Sequence, residues 1–436
     1  MQNLSDLRSA VRGRVLLTED DGFDGARRPW NLAVEQPVLA VVEAADADDV
    51  TALVRYARDR GLTVSVQPSG HGASGDTEGV ILLRTSKLTE LTIDPITRTA
   101  RAGAGVNWGR VLTEARPYGL IGLAGSSPVV SVAGYTLGGG LSWFARRHGW
   151  AADSVTAFDV VTADGTPCRV SAESDPELFW ALRGGGGDFA VVTAIEFDLH
   201  PAPDLYGGRL LWSGDRAAQV LETFREVTET APAELTVWLD LLHFPGAAPM
   251  VSVDATYLGR TEHARELLRP FDAIDAPISD SRAELPIAEL GSITAEPTDP
   301  GPGQSRAELL LDLDDVAVKA LLAEPISPLL SVQLRHLGGA MARPSDSPHG
   351  PVTESYLLYL FGLPLTDEVT AAIIAKQQGL VDALGASVTG RKPFGFLNPA
   401  ETAAHAFTPE SLARLRDIKK RRDPQATFRS NFPVLG

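Results

Sequence analysis

Residues 66–76 read VQPSGHGASGD. Pro68 ends the strand-like run LTVSVQ (62–67), and a second apolar run, GVILLR (79–84), follows the loop. One histidine, His71, stands among small and turn-forming residues that offer it almost nothing to pack against. Glycine allows backbone to approach a ligand closely, and successive free N–H groups form an anion cradle. Two more glycine clusters occur before residue 200, GYTLGGG (134–140) and RGGGGD (183–188). One such loop is ordinarily only a turn. Three in one stretch of alternating strands and helices point to a phosphate-bearing ligand, with a diphosphate the natural anion.

The elements around these loops read as α/β up to about residue 200. VLAVVEA (38–44) is a strand. Asp46 or Asp48 caps a helix with apolar positions Val50, Leu53, Val54 and Ala57, stopped by Gly61. Hairpins are expected at Asp94-Pro95 and Asp164-Gly165, and a helix runs from Asn107 to near Gly119. Ser174 to Glu177 reads as a capping box for the helix ELFWALR, and AVVTAIEFDL closes the region. After Pro201-Ala-Pro203 the pattern changes to long strands alternating with amphipathic helices. The strands are LTVWLDLL, MVSVDATYL, LSVQLRHL and SYLLYLFGL; the helices are 216–230, 261–272, 314–323 and 366–384; 295–306 is a loop. The expected class is α+β, the later part being an antiparallel sheet backed by helices.

Composition excludes several functions. The 436 residues carry a formal net charge of -17, which disfavours nucleic acid and anionic membrane as partners. No stretch is long enough to span a bilayer, and the N-terminal apolar run is too short and too charged for a secretory signal. The single cysteine, Cys168, rules out an intrachain disulfide and a cysteine metal cluster, and suits a cytoplasmic location. The eight histidines show no metal-binding spacing, so no metal is expected. There is no GxSxG elbow and no Walker A loop. GAGVNWG (103–109) follows a hairpin and lacks the full GxGxxG, a poor match to a Rossmann site.

SGHGASG, AGSSPVVSVAGYTLGGGLSWFARRHGWAAD and DPELFWALRGGGGDFAVVT occur in that order, and KRRDPQATFRSNFP stands near the C-terminus. Together they resemble the FAD-linked oxidases of the berberine bridge enzyme-like family, in the vanillyl-alcohol oxidase superfamily with its PCMH-type FAD-binding domain. The resemblance runs from about residue 34 to 200 and resumes at the C-terminus. It implies a two-subdomain FAD-binding domain (1–203), a substrate-binding domain (204–390) whose sheet covers the flavin, and a segment (391–436) that returns to the FAD-binding domain.

The resemblance also assigns residues. The histidine matching His71 is joined in the family to the flavin 8α-methyl carbon, a bond that a neutral imidazole forms as nucleophile. Many relatives add a cysteine link, but its position here is Ser127, which leaves one covalent anchor. Gln67, Pro68, Ser69, Gly70 and Gly72, with Ser126 and Ser127, would hold the diphosphate and ribityl regions. Gln67 stands where the family often has arginine. Gly138, Gly139, Gly140, Asp153 and Val192 match positions lining the cofactor, and Asn431 matches one near the flavin ring. Val130 matches a position where valine accompanies O₂ use and leucine dehydrogenase behaviour.

The family's usual tyrosine base falls at Phe396, before Asn398, and phenylalanine cannot take a proton. Candidates to replace it are Tyr135, Asp240, His336 and one of Tyr356 and Tyr359, which alternate across their strand. The expected activity is oxidation of a small secondary metabolite (an alcohol, amine or cyclisation precursor) by hydride transfer to flavin N5, with O₂ as acceptor. The alternative is a cyclase or lyase that retains FAD without net redox turnover. The oligomeric state is open.

Overall fold

The structure is a computed structural model and describes residues 4–202 and 204–436. Three sheets organise it. The first has Arg14–Leu17 (β1), Ala40–Glu43 (β2), Thr63–Val66 (β3) and Val80–Arg84 (β4) in the order β1-β2-β4-β3, with β2, β4 and β3 parallel. The helix Ala47–Arg60 (α1) crosses between β2 and β3 and buries Val50, Leu53, Val54 and Ala57. Its N-cap is Asp46, whose carboxylate accepts from the N–H groups of Asp48 and Asp49. Gly61 ends it at φ 62°. Continuous apolar β4 is covered on both faces, as a parallel strand requires.

The second sheet is antiparallel. It contains Leu91–Asp94 (β5), Thr99–Gly103 (β6), Val155–Val161 (β7), Pro167–Ser171 (β8) and Val191–Asp198 (β9) in the order β5-β6-β9-β7-β8. Both expected hairpins form, β5–β6 and β7–β8. The cap of helix Pro176–Leu182 falls one residue later than its sequence suggests. Asp175 accepts from Leu178 N–H at 3.1 Å, while Ser174 turns back to accept from Ser171 N–H.

The third sheet is the largest. Leu205–Ser213 (β10), Leu235–Leu242 (β11), Met250–Leu258 (β12), Gln304–Leu310 (β13), Ser331–His336 (β14) and Tyr356–Gly362 (β15) lie in the order β10-β12-β11-β14-β15-β13, all antiparallel. Residue 203, the expected boundary, lies outside the described residues. Two of these strands escape sequence reading. Gly207 and Gly208 break the apolar alternation of β10, and β13 begins inside the stretch read as a loop, because Arg306 and Glu308 disguise it. The register explains the charge. Arg306 pairs with Glu308 at 2.7 Å, and Lys392 meets the same carboxylate at 2.8 Å.

One face of this sheet is apolar. Val237, Leu239, Val253, Leu334, Leu358 and Leu360 pack under Ala217–Thr230, Thr261–Asp272, Asp315–Leu322 and Asp367–Leu384. The other face is polar and buried, which sets the place of the site. Trp143, from the first part of the chain, stacks on Trp238 of β11 at 3.5 Å between ring centroids. Leu141 and Trp150 share a cluster with Leu309 and Leu357. The polar face is therefore covered by the segment carrying the second glycine cluster.

The C-terminal helix Pro409–Arg422 (α2) closes the molecule. Its buried Lys419 donates to Asp423 (2.8 Å), to the Asp188 carbonyl (2.7 Å) and to the Phe428 carbonyl (2.7 Å). Asp188 in turn accepts from the N–H groups of Ser430 and Val434, and Asp423 from those of Thr427 and Phe428. This clasp ties the end of RGGGGD to the FRSN segment.

Candidate functional site

The loop after β3 keeps its backbone donors free. Among the described residues, the N–H groups of Ser69, Gly70, His71 and Gly72 donate to no protein acceptor, and neither do those of Gly125, Ser126 and Ser127. Both loops flank the short helix Val132–Leu137. Pro68 lies 4.0 Å from where a Cβ on Gly134 would stand, and the Tyr135 ring packs against Gly125. Two rows of free amide donors on one helix suit a diphosphate. Gly70 is needed for another reason: at φ 82° a side chain would strike Pro29 at 2.8 Å.

The third cluster behaves differently. The N–H groups of Gly184, Gly185 and Gly186 are spent on the carbonyls of Leu182, Ala181 and Leu137. Their missing side chains make room for His349, Leu415 and Phe394. RGGGGD is thus a packing device, which corrects its reading as a third anion cradle.

His71 is held by two contacts. Its ring stacks on Trp30 at 4.2 Å, and Nδ1 lies 2.8 Å from Ser69 Oγ. Nε2 is buried without a partner. Burial pushes its pKa down to about 4, so the ring is neutral at ordinary pH. Sequence reading missed Trp30, which lies outside every motif. Its N–H bond to Ser69 O at 3.0 Å holds it against the loop.

Gln67 is buried and donates to Gln36 (2.6 Å) and to Asn431 Oδ1 (2.9 Å). Asn431 Nδ2 points toward Gly72. The clasp at Lys419 therefore delivers Asn431 to the His71 loop. Arg84, also buried, lies 3.5 Å from Gln67 Oε1, so a guanidinium still stands beside the position where the family often has one.

Other expected cofactor positions vary in what they offer. Gly138 packs on Gly395, Gly140 under the Tyr135 ring, and Gly139 (φ 98°) over His349, where a Cβ would come within 2.5 Å of Nε2. Val130 packs on the apolar core and accepts from Trp108 N–H. Val192 is buried in the same core. Asp153 is held by its own turn. Its carboxylate accepts from Trp150 N–H at 2.9 Å and lies 3.6 Å from Arg183, so it caps the turn 151–154.

The candidate bases separate by strand parity. Tyr356 and His336 face the helix side. Tyr356 hydroxyl is 2.6 Å from Thr228, and His336 Nε2 is 2.8 Å from Arg146. Neither reaches the polar face, which corrects both expectations: alternation sends them into the opposite layer. Asp240 and Tyr359 lie on the polar face. Asp240 accepts from Ser331 (2.8 Å) and Gln333 (2.7 Å), and Gln333 Oε1 accepts from Arg335 Nε. Arg335 lies over Trp238 at 4.1 Å, with Phe396 and Tyr359 at 5.3 and 5.6 Å. Next to this chain Arg209 holds Asp254 with two bonds of 2.6 and 2.7 Å, while burial pushes that carboxyl up to about 7. Tyr135 hydroxyl is buried without a partner, and burial raises its pKa against the pull of Arg335. Asn398 only caps its own turn, accepting from Ala400 N–H.

Buried polar atoms without partners are expensive and rare. Of the twelve such atoms among the described residues, His71 Nε2, Tyr135 Oη, Thr136 Oγ1 and Ser430 Oγ belong to the 69–72 loop, the helix 132–137 and the FRSN segment. With the free amide rows they fit a long polar group carrying a diphosphate at one end, as FAD does.

His349 gives a stability prediction. It is 3 % exposed, stacks on Trp150, and has a pKa lowered to about 4 by burial. The unfolded chain, near 6.5, binds the proton first, so stability is complete above about pH 6.5 and falls as pH drops toward 4. The loss from this group alone is roughly 3 kcal/mol. Urea midpoints at pH 7.5 and 4.5 measure it, and equal midpoints would contradict it.

The sequence profile of a family described as "FAD binding domain" matches residues 38–171. The chain is 28% identical to (R)-6-hydroxynicotine oxidase of Paenarthrobacter nicotinovorans, over 98% of this chain and 97% of that one. Among solved structures, 6-hydroxy-D-nicotine oxidase of Arthrobacter nicotinovorans superimposes with a TM-score of 0.85 at 25% identity, covering 98% of each chain. A BBE-like protein of Physcomitrella patens gives 0.88 at 19% identity over 99% of each, a likeness of fold. No helix among the described residues is long and apolar enough to cross a membrane. The chain carries an FAD-binding domain and is an FAD-linked oxidoreductase, similar along nearly its whole length to 6-hydroxynicotine oxidases.

Proposed function

We propose that the protein is an FAD-dependent oxidase whose flavin is attached covalently through His71 alone and which oxidises a small molecule in the presence of O₂. The observation that carries the covalent link is the state of the imidazole. It is neutral, stacked on Trp30, held at Nδ1 by Ser69, and has a buried, unpartnered Nε2. Nε2 is then the nucleophile, and Ser127 offers no thiol for a second bond. FAD, when bound, supplies hydride acceptance at N5 and passes two electrons to O₂, giving hydrogen peroxide. Residues 1–203 and 391–436 bind the cofactor, and 204–390 supply the substrate face.

The chain's own residues supply proton handling. With Phe396 at the usual tyrosine position and both Asp240 oxygens taken by Ser331 and Gln333, Tyr135 and Tyr359 remain as groups that take the heteroatom proton. A neutral amine substrate needs little more. The names of relatives, hydroxynicotine oxidase and glucooligosaccharide oxidase among them, support a small-molecule substrate. Nothing in the charge pattern calls for nucleic acid or membrane, and the single cysteine is consistent with the cytoplasm. Val130 supports O₂ as acceptor. Enzyme reduced by light under nitrogen should regain its yellow colour within seconds of admitting air, followed by absorbance. Persistence of the reduced spectrum for many minutes would remove the oxidase reading and leave a dehydrogenase, or an FAD-retaining cyclase.

A further inference from the structure

Arg335 has no counter-ion. It is 7% exposed, yet among the described residues no carboxylate lies within 4.0 Å of its guanidinium. Glu296 and Asp240 act on it only from farther away. A buried, unpaired charge is costly, and a protein keeps one where a ligand completes the pair.

The geometry fixes which part of Arg335 is free. Its flat face lies over Trp238 at 4.1 Å. Its Nε edge is used by Gln333, whose amide is oriented by Asp240 through Nε2 at 2.7 Å. Ser331 occupies the other Asp240 oxygen at 2.8 Å. Asp240 is thus committed to Gln333, and Gln333 to Arg335. The two terminal nitrogens of Arg335 make no hydrogen bond within the described residues. They form the fork that matches a carboxylate with two parallel bonds. Phe396, 5.3 Å from the guanidinium, and Tyr359, 5.6 Å, provide aromatic walls beside it. The nearby Arg209 is no substitute, because Asp254 occupies it in both directions.

We propose that Arg335 is the specificity-determining residue of this site and that the substrate carries a carboxylate, bound by the terminal nitrogens of Arg335 with a flat unsaturated body against Tyr359 and Phe396. The inference rests on the functional reading above and narrows its substrate class. Asp240 and Gln333 are positioning residues in this account, since they act through Arg335.

The test uses the holoenzyme as purified and two probes of nearly equal shape, benzoate and benzamide, titrated against the visible flavin spectrum. Benzoate should bind about 10- to 100-fold tighter than benzamide. Arg335→Gln should bring the two to near parity, and Arg335→Lys should retain part of the preference. Gln333→Leu should weaken benzoate several-fold and leave benzamide unchanged. Parity of the probes in the native enzyme overturns the proposal even if no variant folds. So does failure of both to bind, or a preference that survives Arg335→Gln. A lowered flavin reduction potential in Arg335→Gln with benzoate affinity unchanged would assign the cation to the flavin and also overturns it. If the protein were to purify without flavin, the functional reading fails. Quenching of tryptophan fluorescence, from Trp238 and Trp143, then reads the two probes independently.

Discussion

His71→Ala protein, precipitated in acid, will leave a white pellet and a yellow supernatant, whereas the native protein will keep its colour in the pellet. The effect is all-or-none when His71 is the sole anchor, as proposed. Ser127 cannot form a thioether, and Cys168 is exposed on β8 and is no substitute. Acid unfolding removes every non-covalent contact, including the free amide rows at residues 69–72 and 125–127. Before denaturation the variant should still bind FAD, since those donors remain. Ser69→Ala tests the finer geometry. Losing the contact at Nδ1 leaves the imidazole free to change tautomer, and a fraction of the flavin should then appear in the supernatant. A His71→Ala pellet as yellow as the native one would place the bond elsewhere.

Lys419→Ala should cost about 3–5 kcal/mol of folding stability, the range for removing one partner of a buried ion pair. The ammonium serves Asp423, two backbone carbonyls and, at 3.7 Å, Asp188. All three charged groups are at most 3% exposed. Without it, two carboxylates remain buried with only backbone N–H groups as partners, and each of those backbone bonds belongs to the segment 427–434. The damage should therefore spread to Asn431 and weaken flavin binding as well. Denaturant unfolding with and without bound flavin measures both. A loss below about 1 kcal/mol would show that the clasp is dispensable.

The motifs were legible because they stand together and in order along the chain. His71, Gln67 and Asn431 were read from the sequence, and the fold brings them to one place. Tyr356 and His336 were misread for a simple reason. Each strand places half its residues on each face, and the sequence says which residues share a face without saying which face meets the flavin. Tyr356 and Tyr359 had been separated by that rule, and Thr228 decides between them. RGGGGD misled in another way, since close packing and ligand approach ask for the same small residues. β10 and β13 were hidden where glycine and an inward ion pair replaced the usual alternation. Trp30 carried no signal at all, because it matters only through neighbours far away in sequence, whereas strand alternation puts Gln333 and Arg335 on one face without showing what they bind.

Trypsin offers the most direct measurement. It should release Gly61–Arg84 as one peptide, in which His71 is the single histidine. Mass spectrometry of the native protein should find that peptide heavier by one flavin moiety, with fragmentation placing the addition on His71. An unmodified Gly61–Arg84 peptide together with free FAD, or a flavin on any other residue, would contradict the account.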